Sequence, residues 1–442
     1  MKKRIVLIAV AVFLIFSLCG CEVISFNVSE LMAPPKATGE NAAIQKLVGK
    51  EAGAGYTLKY PQNGSYRSAI TCMDFDNDSA QEAVAFYLPS GEAQTVHMLI
   101  MDCVDGEWVT IGNYTSKSST VDRLVFCDLD GDSKQEIVVG WSTYNSLIND
   151  LSVYLVEDGK SQEIVSESKY SDFLFGEFTN SSKDELLLLS LYTADKPAGA
   201  ALVALNDTKN SLYTVSESPI DADVTSFAKL QTGDIFYGQF GAVLDGVTSA
   251  GSYNTQLLYY SEYYASLQRV FFTEDSPTNQ ATRPYAVLSE DIDNDGIIEI
   301  PNTFKMNIDD SQTDVIPAAL IHWCEYSALD TLEVNMLQAA SIVYGCRFTI
   351  PEKWDDNYTA YVNYSTNEIT FFEWSDRSGP GEPLLVIKMF TDAAWNDGTS
   401  ASNYTELGRN DSYVYGFITL ETNSTLQLTN EEITEAFSIT KQ

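Results

Sequence analysis

Carboxylates with one repeated spacing are the residues of this chain best suited to chemistry. The segment Asp291-Ile-Asp293-Asn-Asp295-Gly296-Ile-Ile-Glu299 places three Asp at alternate positions, permits a sharp turn at Gly296 and ends on Glu. Such a segment directs several oxygen atoms to one point, and Ca²⁺ is a hard cation that takes six to eight oxygen ligands. The segment therefore predicts a calcium-binding loop.

The same spacing occurs twice more, and a degenerate copy occurs once. In chain order these segments are the first loop (74–82), the second loop (128–136), the degenerate third loop (177–185) and the fourth loop (291–299). Acidic residues make up 62 of the 442 residues, so four fixed acidic positions should match only about 0.2 times by chance. The three complete loops therefore form a true repeat.

The loops lie in a stretch, about 56–345, in which short apolar runs alternate with turn residues, a pattern typical of strands. After the first loop, strands are expected at 82–87, 95–102, 108–114 and 124–127. The repeated unit is therefore strand, acidic loop, strand, strand, turn, strand. A weaker unit without an acidic loop covers about 227–272. Because the first three loops begin at residues 74, 128 and 177, the unit repeats about every 50 residues. Four-stranded units of about this length are typical of propeller blades.

The units resemble the FG-GAP/VCBS repeats of integrin-type propellers and of many bacterial surface proteins. In that family the loop D-x-D-x-D-G-x-x-D/E joins the first two strands of a blade and holds one calcium ion. The resemblance implies the following Ca²⁺ ligands: Asp74, Asp76, Asp78 and Glu82; Asp128, Asp130, Asp132 and Glu136; Asp291, Asp293, Asp295 and Glu299. A backbone carbonyl at the seventh position (Ala80, Lys134 or Ile297) is expected to join each set.

Two features depart from the family pattern. Ser79 and Ser133 stand where the family has Gly, so strain is expected in those two turns. The third loop, Glu177-x-Thr179-x-Ser181-x-x-x-Glu185, has lost most of its charge and is expected to bind no metal.

The expected fold is therefore mainly β: a propeller of about five blades over 56–345, followed by a small α+β domain over 346–442. The part from about 190 to 290 leaves room for another arrangement. In the second domain, strands are expected at 358–364, 368–374, 383–391 and 412–420, a loop or short helix at 403–408 and a helix at 429–437. Before the propeller, residues 22–55 read as a tether and a short helix at 40–50.

The first 21 residues read as a targeting segment. Lys2, Lys3 and Arg4 precede an apolar core that is too short to span a bilayer comfortably. The sequence Leu18-Cys19-Gly20-Cys21 resembles a bacterial lipobox, which implies cleavage before Cys21 and a lipid on its thiol. We therefore expect an extracytoplasmic protein that is lipid-anchored to the bacterial cell membrane. An ordinary signal peptide or a short membrane anchor is the alternative.

Charge limits the class of partner. The formal net charge is −36, and removal of the three basic residues in the leader makes the mature chain more negative still. Such a surface repels nucleic acid and attracts divalent cations. The expected partners are therefore the membrane, through the N-terminal lipid, and a protein or glycan ligand, with no nucleic acid.

Residues for other kinds of catalysis are scarce. The only two His, His97 and His322, lie in β-type runs, which disfavours His-based triads and zinc sites. Cys residues have no metal-ligand spacing; most are expected to be buried thiols, with a Cys324–Cys346 disulfide as an alternative. An envelope hydrolase that cleaves glycans with paired carboxylates outside the loops remains open, with Glu373 and Asp376 near Trp374 as candidates.

Tyrosine clusters at 259–264 and the pair Phe271-Phe272 either fill the spaces between blades or form a stacking platform for a ligand. The sequence favours a lipid-anchored calcium-binding propeller that acts as a binding or scaffolding module at the cell surface and is not an enzyme. A purely structural role in an envelope complex is a third possibility.

Overall fold

A computed structural model of the chain describes residues 40–440 except 93, 145, 165, 271–280, 308–314, 328–330 and 421. The predicted leader, Cys21, the tether and Phe271-Phe272 lie outside the described residues. The described part contains three α-helices: α1 (Glu40–Ala52), α2 (Asp392–Asn396) and α3 (Asn430–Ala436). None of them is long and apolar enough to cross a membrane.

Six antiparallel sheets make up most of the described chain. The first contains β1 (Thr57–Leu58), β2 (Ile70–Met73), β3 (Glu82–Leu88), β4 (His97–Val104) and β5 (Glu107–Thr115). The second contains β6 (Thr120–Cys127), β7 (Glu136–Ser142), β8 (Asn149–Glu157), β9 (Lys160–Ile164) and β10 (Lys169–Tyr170). The third contains β11 (Asp172–Gly176), β12 (Glu185–Ser190), β13 (Gly199–Leu205) and β14 (Leu212–Pro219).

The other three sheets complete the chain. The fourth contains β15 (Val224–Phe236), β16 (Gln239–Thr248), β17 (Tyr253–Ser261) and β18 (Ser266–Val270). The fifth contains β19 (Ile300–Lys305), β21 (Ala319–Ser327), β22 (Thr331–Ser341), β23 (Cys346–Thr349) and β29 (Phe437–Ile439). The sixth contains β20 (Ile316–Pro317), β24 (Tyr358–Asn363), β25 (Glu368–Ser375), β26 (Gly379–Phe390), β27 (Thr405–Arg409) and β28 (Val414–Thr419).

The predicted repeat unit is present. The first three loops join β2 to β3, β6 to β7 and β11 to β12, which are neighbours in their sheets. In the fifth sheet the strand before the loop is reduced to a single bridge between Glu290 and Glu299. The weaker unit predicted at 227–272 is the fourth sheet, where a short turn replaces the acidic loop.

Consecutive sheets pack face to face. Strands such as β3 and β7 are buried on both faces, which explains their nearly unbroken apolar sequences. Phe86 and Ile100 of the first sheet share a core with Ile137 and Val139 of the second. Similar cores join the second sheet to the third, the third to the fourth, the fourth to the fifth and the fifth to the sixth.

The stack of sheets has two different ends. Helix α1 covers the outer face of the first sheet, where Ile44 and Val48 pack against Ala85, Leu99 and Met101. Among the described residues, no core cluster joins the first sheet to the fifth. The prediction of a mainly β fold is confirmed, because the described chain forms several antiparallel sheets. The closed ring expected of a propeller is not seen in the packing of the described residues.

The predicted boundary between 345 and 346 cuts through the fifth sheet. Strand β23 follows this boundary and pairs with β22, and β29, from the end of the chain, pairs with β23. Conversely, β20 precedes the predicted boundary but pairs with β24 of the sixth sheet. The two parts share strands because the apolar side chains of β23 face the core of the C-terminal part, with Phe348 beside Trp354 and Phe371.

The C-terminal part matches most of the predicted elements. Strands β24, β25, β26 and β28 lie where the sequence predicts them, and α3 begins after Thr429, whose hydroxyl accepts the Glu432 N–H. The predicted loop or helix at 403–408 was wrong, because this segment pairs with β28 as the edge strand β27.

Candidate metal centre

The four loops share one hydrogen-bond plan. The closing Glu accepts the N–H of the residue after the first acid in each loop, at distances of 2.9, 2.6, 2.8 and 2.8 Å; the donors are Phe75, Leu129, Phe178 and Ile292. The first acid accepts the N–H of the fifth residue after it. These bonds use one oxygen of each closing Glu and leave the other for the centre of the loop.

The first loop brings all four predicted ligands together. One oxygen from each of Asp74, Asp76, Asp78 and Glu82 lies within 4.8 Å of the others. Glu82 is fully buried, and its Oε1, like Oδ1 of Asp74, has no hydrogen-bond donor. A buried carboxylate oxygen without a donor is costly unless a cation or a proton joins it. The loop thus brings together the carboxylate ligands that Ca²⁺ requires, and two of their oxygen atoms have no hydrogen-bond donor.

Burial also changes the acidity of Glu82. Loss of hydration, followed by the charges of Asp76 and Asp102, raises the pKa of Glu82 to about 7, although the Phe75 N–H opposes this. Without a cation the carboxyl therefore keeps its proton up to neutral pH.

The second loop is arranged differently. Asp128, Asp130 and Glu136 form a compact group, whereas the predicted ligand Asp132 lies outside it. Burial and the charge of Asp130 raise the pKa of Glu136 to about 8. The ammonium group of Lys209, from the turn between β13 and β14, lies 2.6 Å from Asp130 Oδ2. This lysine gives no signal in the loop pattern because it lies far from the loop in sequence.

The third loop satisfies its closing Glu without a cation. The hydroxyls of Thr179 and Ser181 both donate to Glu185 Oε1, the latter at 2.8 Å. The two residues that replace Asp in the repeat therefore supply protons where the other loops present negative charge. This arrangement supports the expectation that the third loop binds no metal.

The fourth loop gathers its carboxylates in two overlapping groups. Asp291, Asp293 and Asp295 form one, and Asp295 and Glu299 form the other with Glu325 of β21. Burial, with the charges of Asp293 and Asp295, raises the pKa of Glu299 to about 7. Asn335 of β22 donates to Glu325 at 2.6 Å and to Asp293 at 3.1 Å. Sequence reasoning missed Glu325 and Asn335 because strand pairing brings them to the loop.

Ser79 and Ser133, which stand where the family has Gly, both have a positive φ angle. Ser79 and Ser133 adopt φ of 75° and 70°, in the left-handed region, and Gly296 adopts 96° at the equivalent position. Serine is disfavoured there and glycine is not. The expected strain is therefore present in the first two loops.

Hydrogen bonds connect the first three loops across their sheets. Asn77 of the first loop donates to the Ser133 carbonyl at 2.5 Å. Asp184 of the third loop accepts the Asp128 N–H and donates its own N–H to the Asp128 carbonyl. One edge of the stack therefore carries the first three loops in a continuous hydrogen-bonded row.

The other candidate residues have mostly structural positions. His97 contacts Glu92. His322, in strand β21, packs on Phe304 of β19, and burial lowers the pKa of this histidine. Cys324 and Cys346 are free thiols, so the alternative disulfide is absent. Trp374 donates to Asp376, and Glu373 accepts the Ser424 hydroxyl.

Part of the predicted aromatic cluster is on the surface. Tyr263 and Tyr264 are 88% and 66% exposed in the turn between β17 and β18, and Tyr237 is 84% exposed in the turn between β15 and β16. Both turns lie at the end of the fourth sheet that corresponds to the acidic loops. Core packing is therefore wrong for Tyr263 and Tyr264, although Tyr259 and Tyr260 do pack against core clusters.

Asp356 and the predicted candidate Asp376 line one cleft, and a second cleft is also lined by two carboxylates from outside the loops. This second cleft has a volume of about 460 Å³ and lies between the first and second sheets, where Asp150 and Glu163 line it together with Trp141 and Tyr154. Glu163 accepts the Tyr154 hydroxyl at 3.3 Å.

No protein-family model and no curated protein matches this chain. Among solved structures, it is similar to a putative 6-phosphogluconolactonase from Bacteroides uniformis, at 11% identity and TM-score 0.30, over 74% of this chain and 94% of that one. It is also similar to the exotype rhamnogalacturonan lyase YesX, at 12% identity and TM-score 0.31, over 74% and 65%. Saccharomyces cerevisiae Sqt1 gives 7% identity and TM-score 0.34, over 83% and 98%. Similarity at these scores supports no conclusion about fold or function.

Proposed function

We propose that this protein is a lipid-anchored extracytoplasmic module that binds a ligand and is held rigid by Ca²⁺ in its acidic loops. The observation that carries the proposal is the contrast between the first and third loops. In the third loop, hydroxyls donate to Glu185; in the first, three Asp surround a buried Glu82 oxygen that has no donor. Ca²⁺ supplies the missing positive charge.

The ions would act as structural links. A cation bound in the first loop fixes the connection between β2 and β3, and one in the fourth loop fixes the approach to β19. Because the first three loops bond to one another, order in one loop restricts the next. The resemblance to FG-GAP/VCBS blades supports the same role, and with it a propeller-like arrangement of the five sheets.

Binding is the activity that best fits the remaining surface. The exposed Tyr237, Tyr263 and Tyr264 lie at the loop end of the fourth sheet, the sheet that has no acidic loop. Tyrosine offers a flat apolar ring and a hydroxyl at low entropic cost, which suits contact with a protein or a glycan. Ordered loops on either side would hold this surface in place.

A glycan-cleaving hydrolase is the second candidate. Asp150 and Glu163 line one cleft, as a pair of catalytic acids must. It ranks second because no other feature of that cleft indicates bond cleavage, whereas the loops have a consistent structural explanation.

Thermal unfolding of the full chain in detergent, first in chelator and then in millimolar Ca²⁺, tests the proposal. A metal that binds only the folded state adds about 2.7 kcal/mol per site at 100 times its dissociation constant. We expect a clear rise in Tm with Ca²⁺, reduced in Asp76→Asn and in Asp293→Asn, and unchanged in Asp207→Asn, whose side chain is fully exposed outside the loops. Equal melting with and without Ca²⁺ would contradict a role for the metal.

A further inference from the structure

The second loop differs from the other complete loops because it already contains a cationic group. Lys209 Nζ lies 2.6 Å from Asp130 Oδ2 and 3.8 Å from Asp132 Oδ2. The same ammonium lies 2.8 Å from Glu157 Oε1, at the end of β8. Three carboxylates of the second sheet therefore share one lysine of the third sheet.

The turn that carries Lys209 is well defined. Asn206 Oδ1 accepts the N–H groups of Asn210 and Ser211 at 3.0 and 3.3 Å, and the Asn206 carbonyl accepts the Lys209 N–H at 2.8 Å. Lys209 itself adopts a left-handed φ of 51°. These bonds fix the backbone from which the side chain reaches the loop.

The first and fourth loops have no such partner. Within the described ranges, no Lys or Arg nitrogen lies within 4.0 Å of a carboxylate in either loop. Lys183 offers a useful comparison, because its side chain packs beside Gly131 of the second loop while its ammonium pairs with Asp207. Proximity of a lysine alone therefore does not place a cation on Asp130.

We propose that Lys209 is an internal competitor for Ca²⁺ at the second loop. Asp130 stands at the third position of the loop, so a metal ion there must displace the ammonium group or bind beside it against charge repulsion. The second loop would then fill only at higher Ca²⁺ than the first and fourth loops. This inference rests on the proposed function, since it assumes that the complete loops bind Ca²⁺.

The competition gives the loops different roles. The first and fourth loops would respond to Ca²⁺ at the lower concentrations. The carboxylates of the second loop would have a positive partner at every Ca²⁺ concentration. That partner is Lys209 when metal is scarce and Ca²⁺ when metal is abundant. In the first of these states, Lys209 also links the second sheet to the third.

Calorimetric titration of the metal-free full chain with CaCl₂ tests this inference, with Lys209→Met as the variant because it keeps most of the side-chain length and removes the charge. We expect Ca²⁺ affinity at the second loop to rise about 10- to 100-fold, the range lost with one charge-assisted hydrogen bond. Asp130→Asn in the Lys209→Met background should weaken that strengthened site, because Asp130 belongs to the compact carboxylate group. Lys183→Met, a matched loss of charge beside the same loop, should leave the titration unchanged.

The titration separates failure of this inference from failure of the proposed function. The wild type and Lys209→Met could give identical isotherms while Asp76→Asn and Asp293→Asn still reduce Ca²⁺ binding. That result would overturn the role of Lys209 and leave the calcium proposal intact. Absence of Ca²⁺ binding in every variant would overturn the calcium proposal itself. Melting in chelator gives an independent readout. Lys209→Met should lower Tm there, because it removes the one described ammonium group that lies within 4.0 Å of the loop carboxylates. An unchanged Tm would count against the inference.

Discussion

Glu82 and Glu185 occupy the same position in two copies of one repeat, yet their surroundings demand different partners. Glu185 accepts hydrogen bonds from two hydroxyl groups and two backbone N–H groups, so both of its oxygen atoms have donors. Glu82 accepts one N–H and keeps a buried oxygen without a donor. The same residue type at the same spacing therefore stabilises one loop directly and makes the other depend on a cation or a proton.

This contrast predicts opposite effects of one substitution. In chelator at pH 8, above the raised pKa of about 7 at which Glu82 loses its proton, Glu82→Gln should raise Tm, because a neutral amide replaces a poorly compensated buried charge. It should also abolish the Ca²⁺ response of the first loop. Glu185→Gln should lower the free energy of unfolding by about 1–3 kcal/mol with or without Ca²⁺, because hydrogen bonds to a charged group are lost. Melting curves of both variants in both buffers check this; equal destabilisation in chelator would argue against it.

The pH dependence follows from the same residue. The folded state keeps the Glu82 proton up to about pH 7, whereas an unfolded chain releases it near the ordinary value of 4.5. Between these values the folded state binds more protons, so this group lowers stability as pH rises through that range. In chelator, Glu82→Gln should make the fall in Tm across this range less steep.

At the scale of elements, α1 has the most specific task. It covers the outer face of the first sheet with Ile44 and Val48, which are 1% and 0% exposed. A sheet at the end of a stack exposes an apolar face, and terminal elements with a polar outer surface usually cover such faces. Gln45 and Lys46 lie on the exposed side of α1.

Replacing a buried residue of α1 should therefore uncover the first sheet. We expect Val48→Asp to lower the free energy of unfolding by about 3–5 kcal/mol, because it removes apolar contact and buries a charge. Gln45→Asp makes the same charge change on the exposed side and should have little effect. Melting curves and binding of a dye that reports apolar surface check the pair. If both variants behave alike, α1 does not protect the sheet.

The sequence predicts elements well where a local pattern determines them. The strands next to the loops, α1 and the four-stranded repeat follow from alternation, turn residues and spacing. The sequence does not predict that β20 pairs with β24 of the sixth sheet or that β23 pairs with β22 of the fifth. The pairing partner of a short strand is set by apolar contacts with residues far away in sequence. For the same reason, the loop residues are predictable, whereas Lys209, Glu325 and Asn335 reach the loops only through the fold.

At the scale of the whole molecule, the proposed anchor and the proposed ligand surface belong to different parts of the chain. Cys21 precedes α1, and the exposed tyrosines belong to the fourth sheet, with three stacked sheets between them in chain order. A rigid stack would fix the position of the ligand surface relative to the first sheet. Calcium in the loops would contribute to that rigidity.

The anchor itself can be checked directly. Mass spectrometry of the N-terminal peptide from membrane-extracted protein should show that the mature chain starts at Cys21 and carries a lipid. Cys19→Ala should leave this peptide unchanged, because the cleavage position depends on the last cysteine of the motif. An unmodified peptide that starts at another residue would show an ordinary signal peptide.

The pairing of β29 with β23 has a consequence for the order of assembly. A protein that crosses a membrane from its N-terminus emerges strand by strand, and each of the first four sheets consists of strands from one continuous stretch of the chain. The fifth sheet must wait, because Cys346 pairs with Ile439 near the very end of the chain. Until β29 has emerged, one side of β23 lacks its partner and could pair with other chains. The proposed export of this protein thus has an interval, between the emergence of β23 and that of β29, in which the fifth sheet is open to pairing with other chains.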